Sequence, residues 1–286
     1  MAISYSHRFG QIIGDSLEMA MEPFLYNFAE ENNLYLDKKG FRPARAGVKL
    51  SWSDINDNIH DLDFVLERNG SDTIQGMPAA FIECAWRRYT KHSRNKAQEI
   101  QGAIMPLLEK YKKEDPFIGV VLAGEFTQNS LDQLRSLGFH ILFIPYKNIC
   151  SSFLSVGIDA NFDEQTSESD FKKKVHKWER LTKDEKTKLY ETISEENLVS
   201  ISQFLGELKA KIDRSVSSIK IWSIYGKEYK FTTVAAAKFF LLNMKEEKNE
   251  TSFLRFEAEI EYCNGDSIKV SFQNNSEFLS FLSRFV

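Results

Sequence analysis

The sequence predicts an α/β protein, and three observations carry that expectation. Phe9, Ile13, Leu17, Ala20, Phe24 and Phe28 recur at spacings of three and four, as on one face of a helix. The apolar runs at 117–126 and 140–146 read as strands buried on both faces, separated by a short helix that Gly138 ends. Between the first helix and these strands, HDLDFVLERNG and PAAFIECAWRR alternate as strands on either side of the turn-rich run 69–76. The order is helix, strand hairpin, helix, strand, helix, strand.

Each element has its own signal. Glu18 and Glu22 lie beside the apolar stripe of the first helix. The segment 36–52 comes next, with Lys38, Lys39, Arg42, Arg45 and Lys49 and no acid after Asp37. In the hairpin, Asp63, Val65 and Glu67 share one face, as do Phe81, Glu83, Ala85 and Arg87 on the partner strand. The midpoint of positions 63 and 83 is 73, inside the turn run, so a simple hairpin sets the two carboxylates side by side. The next helix carries Ala97, Ile100, Ile104, Leu107, Leu108 and Tyr111 on one face, with Pro106 expected to kink or divide it.

Beyond Cys150 the character changes. Residues 151–165 read as a connection and 166–214 as charged helices, with Thr182 and Glu185 spaced for a capping box. The last seventy or so residues read as strand, helix, a hairpin at Asn264-Gly265, and a final helix. Three regions are therefore expected: a core over 1–150, a helical connecting region over 151–215, and a small α+β unit over 216–286.

Two carboxylates held side by side repel unless protonated or bridged, and a hard divalent cation with oxygen ligands is the usual bridge. Asp63 and Glu83 thus form a candidate magnesium site, with Asp61 as the rival to Asp63.

An Asp on the hairpin, Glu-x-Ala-x-Arg on its second strand and this order of elements together resemble the PD-(D/E)xK nuclease superfamily, particularly type II restriction endonucleases, over roughly residues 8–150. The resemblance implies a restriction-endonuclease-like core, a mixed central sheet flanked by helices, and an Mg2+-dependent endonuclease that cuts double-stranded DNA. Asp63 and Glu83 would be its metal-binding acids, joined by Glu18 from the first helix. The family's lysine, two residues after the glutamate, is here Ala85, so the chain either is catalytically silent or draws a cation from elsewhere. Lys96 is the first candidate and Lys91 the second; Arg87 suits holding phosphate better than activating water. Lys38, Lys39, Arg42, Arg45 and Lys49, with Arg88 and Arg94, would follow the phosphate backbone. A palindromic target would call for a homodimer. Repair or recombination nucleases of the same fold, and a silent binding module, are the rival readings.

Composition bounds these readings. The chain has 286 residues, 42% apolar and 13% aromatic, enough for a packed core. No apolar run reaches the length of a membrane span, and the start does not read as a signal peptide. Cys84, Cys150 and Cys263 lack paired spacing, which argues against disulfides and zinc knuckles and for an intracellular protein; the resemblance to restriction endonucleases implies the cytoplasm of a prokaryotic cell. The net charge of −4 leaves nucleic-acid binding to local cation clusters.

Overall fold

The computed structural model describes residues 4–213, 215–222, 227–243, 256–263 and 265–283. It divides into two compact units, residues 1–208 and 209–286.

The first unit is α/β. Helix α1 (Tyr5–Glu31) opens with Ser4 accepting a hydrogen bond from the His7 amide. After it come strand β1 (Leu34–Lys38), a small hairpin of β2 (Ser51–Ser53) and β3 (Ile59–Asp61), then β4 (Phe64–Arg68) and β5 (Met77–Arg87). A 3-10 turn at Thr90–His92 leads into α2 (Ser93–Lys110). Next are β6 (Phe117–Gly124), α3 (Gln128–Ser136), β7 (His140–Pro145) and α4 (Tyr146–Leu154). Helices α5 (Glu168–Arg180), α6 (Lys183–Glu195) and α7 (Leu198–Ile212) complete the series, and α6 starts with the expected Thr182–Glu185 capping box.

The central sheet has the order β1-β4-β5-β6-β7. Its first three strands are antiparallel and β5, β6 and β7 are parallel, so the sheet is mixed. On one face Val65, Phe81, Ala85, Val120 and Leu122 bury against Ala97, Ile100, Ile104 and Leu107 of α2 and against Leu131 and Leu134 of α3. On the other, Phe9 of α1 meets Phe153 of α4 edge to face at 6.0 Å. Helices α5 and α6 pack on α1, and Phe204 of α7 sits over Phe117 of β6.

Four expectations change. The run at 140–146, expected to be buried on both faces, is the edge strand β7 with alternating burial, and its last residue, Tyr146, begins α4. The basic segment hides β1 and the start of β2, and the stretch HDLDFVLERNG, read as one strand, divides between β3 and β4; β1 is short and its one buried residue is Asp37, so it carries no apolar alternation. Helix α2 runs undivided through Pro106, anchored by buried Ile104 and Leu107 on either side. In α1 the buried positions include Met21 and Leu25, whereas Phe24 lines an open groove beside α6.

Among the described residues, the second unit is a four-stranded antiparallel sheet, order β11-β10-β8-β9, with two helices. The strands are β8 (Val216–Trp222), β9 (Glu228–Phe231), β10 (Phe256–Tyr262) and β11 (Ser267–Phe272); the helices are α8 (Val234–Asn243) and α9 (Asn275–Leu282). The first strand expected in this unit, over residues 218–231, is thus two, β8 and β9. Gly265 takes φ 87°, as the hairpin signal requires; Asn264 lies outside the described residues. Among the described residues no helix is long and apolar enough to cross a membrane.

Candidate functional site

The pairing of β4 with β5 decides which side chains meet. Phe64 pairs with Ile82, Val65 with Phe81 and Leu66 with Ala80, so Asp63 falls opposite Glu83. The register then shifts by one at Leu66/Glu67, a bulge beyond the site that a simple hairpin lacks. The two acids are tied crosswise. The Cys84 amide donates to Asp63 Oδ2 at 2.7 Å, and the Asp63 amide donates to Glu83 Oε1 at 3.3 Å.

Burial is the largest influence on both groups. It pushes the Asp63 carboxyl above its usual value, opposed by the Cys84 amide and by the charges of Lys96 and Lys39. Glu83 is raised well above the usual range by burial and then by the Asp63 charge. Glu18, reaching in from α1, is raised to about 7 by burial, by Asp63 and by Asp15. Each of these acids therefore feels another's charge, which is the electrostatic signature of a cation-binding or proton-holding cluster. Burial also lifts the Cys84 thiol, reinforced by Asp63, Glu18 and Glu83, so it stays protonated and unreactive.

Among the described residues, no three His, Cys, Asp or Glu side chains already form a metal cage. The donor chemistry nevertheless fits Mg2+, which keeps several waters and commonly takes only one or two carboxylates. Asp63 and Glu83 could serve as those two, with Glu18 as a further acid.

The candidate cations fare differently. The Ser93 hydroxyl pins the start of α2, donating to Thr90 O at 2.7 Å and lying 3.1 Å from the Ser130 hydroxyl of α3. One turn on, Lys96 is 22% exposed, faces Asp63 and Glu83 electrostatically, and pairs with Glu99 at 3.2 Å. Arg87 shares Glu99 at 3.4 Å. Lys91 is bound to exposed Glu164. Ala85, where the lysine of the motif would stand, is packed in the core.

The proposed phosphate contacts need correction. Arg42 is 3% exposed and bonds Asp37 Oδ2 at 2.6 Å and Glu67 at 2.7 and 2.9 Å; its guanidinium stacks 4.3 Å over Tyr35. Burial opposes its charge, but the hydrogen bonds with Glu67 and Asp37 outweigh that and hold it. Arg45 bonds Asp37 at 3.2 Å and caps the carbonyls of Lys38 and Gly40 at 2.6 and 2.8 Å. Both arginines are internal struts, unable to follow a phosphate backbone. Arg88 is likewise withdrawn, donating to Phe162 O at 2.7 Å and stacking 4.1 Å over Tyr146. Lys38 pairs with Glu22, and Lys49 with Asp61 at 2.5 Å, which also takes Asp61 away from the site. Lys39 and Arg94 are exposed and make no ion pair among the described residues. Arg45 holds the peptide on each side of Lys39, and the Lys38–Glu22 pair docks this turn on α1 near Glu18. Lys39 accordingly acts on both Glu18 and Asp63.

The sequence reading missed Asp15, whose signal is its position three residues before Glu18 on α1, and the Cys84 amide, which has no side-chain signal.

The chain matches no protein-family model and no curated protein. Among solved structures it is similar to a crystal structure of a protein of unknown function, AF1548, at 11% identity and a TM-score of 0.31, over 69% of this chain and 98% of that one. A likeness at that score carries no argument about fold or activity.

Proposed function

We propose that this protein is a magnesium-dependent endodeoxyribonuclease with a restriction-endonuclease-like core, hydrolysing phosphodiester bonds in double-stranded DNA, most in keeping with a type II restriction enzyme. The observation that carries this reading is the crosswise tie between Asp63 and Glu83 at the end of the β4–β5 pair, where burial raises both carboxyls, the Asp63 charge raises Glu83 further, and Lys96 opposes both shifts.

Asp63 and Glu83 would hold the ion, with Glu18 as a further acid. The ion, when bound, supplies Lewis-acid polarisation of the phosphoryl oxygen and a bound water of lowered pKa. The chain's own residues do the rest. The Cys84 amide fixes the Asp63 carboxylate. The Ser93 hydroxyl anchors the helix that carries Lys96, whose ammonium takes the role of the motif lysine in holding charge on the scissile phosphate. Lys39, on its clamped turn, supplies a second positive charge to Glu18 and Asp63.

The test is incubation of plasmid DNA at graded magnesium with the native chain, Glu83→Gln and Lys96→Ala. Ion-dependent cutting by the native chain and a loss of about 100-fold or more in Glu83→Gln is expected. Cutting that survives Glu83→Gln refutes the reading. Discrete fragments favour restriction, while preference for branched DNA favours a repair or recombination nuclease.

Ala85 favours one other reading, a catalytically silent DNA-binding module. That module binds duplex without ion-dependent cleavage.

A further inference from the structure

A concavity adjoins the carboxylates and shares Lys96 with the hydrolysis proposed for them, while the rest of its lining has no part in that reaction. It is an open cleft of about 360 Å3 over the carboxyl end of β5, lined by His7, Gly10, Gln11, Gly14, Trp86, Arg87 and Lys96 among others. Crevices outside the carboxyl ends of strands are where open α/β sheets seat ligands. Its volume is at the low end of the ~300–1,000 Å3 typical of small-ligand sites.

Two independent features make it a site rather than a dent. Its floor is bare helix: Gly10 and Gly14 lie one turn apart on α1, and a Cβ at Gly14 would meet nothing within 4 Å. Its wall holds a donor without an acceptor, on a ring that is itself buried. Trp86 is only 8% exposed, wedged against Tyr146 at 5.7 Å and Phe162 at 6.5 Å, and held close because Gly124 (φ 102°) has no side chain where a Cβ would stand 2.8 Å from the indole. Its indole nitrogen faces the glycine floor, 3.9 Å from where a Gly10 Cβ would stand, and donates to no described residue. The nitrogen itself is open to the cleft, so it can donate to whatever fills the cleft, water or a ligand. Lys96 and Arg87 add positive charge to its lining, and Lys96 also acts on Asp63 and Glu83.

We propose that this cleft seats one nucleotide unit of a DNA strand beside the carboxylates, its phosphate toward Lys96 and Arg87, its sugar and base over the Gly10–Gly14 floor, with the Trp86 N–H donating to it. The size, the bare floor, the apolar wall and the cationic end match a nucleotide in its parts. The location next to the scissile bond rests on the nuclease reading; the cleft itself does not.

A Cβ at Gly14 meets nothing within 4 Å and leucine raises helix propensity, so Gly14→Leu is the variant used to fill the floor, its fold checked against the native chain by circular dichroism. Binding of a labelled short DNA duplex, in a Glu83→Gln background that removes cutting, and of a free deoxynucleoside monophosphate is measured for native, Gly14→Leu, Trp86→Phe and the control Gly102→Leu on exposed α2 surface. Gly14→Leu is expected to weaken duplex binding at least about 10-fold and Trp86→Phe by roughly 2- to 12-fold, the range of one hydrogen bond, with Gly102→Leu unchanged. Monophosphate binding lost in Gly14→Leu identifies the nucleotide unit; monophosphate without affinity alongside duplex loss identifies the strand as the ligand. Duplex binding that is unaltered in Gly14→Leu overturns the proposal, and leaves the nuclease reading standing if Glu83→Gln has abolished cutting. Conversely, duplex binding that Gly14→Leu abolishes, in a native chain that never cuts, retains the cleft and ends the nuclease reading. A native chain that binds no DNA ends both.

Discussion

Replacing Arg42 by methionine removes the positive centre of a buried network while keeping most of the side-chain volume. Arg42 makes two hydrogen bonds to Glu67, one to Asp37, and others to the carbonyls of Ser71 and Ile74 at 2.7–3.1 Å. The loss falls mainly on Glu67, which is fully buried and would retain only the Gly76 amide at 2.7 Å, whereas Asp37 keeps Arg45 and the Lys38 amide. Breaking one partner of a buried ion pair costs about 3–5 kcal/mol. Glu67 lies on β4 and accepts from the connection to β5, so hydrogen exchange at β4 and β5 amides is the direct assay in a chain of two units. Protection there is expected to fall by roughly two to four orders of magnitude. Adding Glu67→Gln, which removes the stranded charge, should recover part of that loss. A cost below about 1 kcal/mol, or a double variant that loses the sum of the two single losses, would show that the network is not a coupled strut.

Glu18 gives a pH dependence of defined sign. Its folded pKa, about 7, exceeds its ordinary 4.5, so the folded chain binds more protons in that window. The metal-free protein therefore loses stability as pH rises through about 7, and Glu18→Gln should flatten the urea midpoint across roughly pH 5 to 8; parallel curves for the two proteins would refute the assignment. Lys39→Ala should lower the magnesium-dependent cutting rate by about 10-fold or more while Lys49→Ala, whose partner is exposed Asp61, leaves it unchanged; equal rates in plasmid assays remove Lys39 from the site. Gly119→Ala would place a Cβ 2.6 Å from the Phe204 ring and 2.7 Å from Phe117, so a loss of about 1–3 kcal/mol in thermal or urea unfolding is expected, with native-like stability disproving the close fit of α7 on β6.

The sequence alone determined the elements that local periodicity dictates. The stripe through Phe9, Ile13 and Leu17 set α1, the unbroken apolar runs set β6 and β7, and the period of two placed Asp63 across from Glu83, because strand alternation and a turn between them leave few registers. Lys96 was legible as a cation on the helix after Glu83, from its place one turn before Ile100. Tertiary structure decided the rest, since it depends on partners distant in the chain. Arg42, Arg45 and Arg88 read as a basic surface, and only their meeting with Asp37, Glu67, Phe162 and Tyr146 turned them inward. The raised carboxyls needed the burial that α1 and α2 together provide, and the cleft needed Gly10 and Gly14 brought over Trp86. A charge carries no mark in the sequence of whether water or a counter-ion will neutralise it; that is fixed when the chain closes around it.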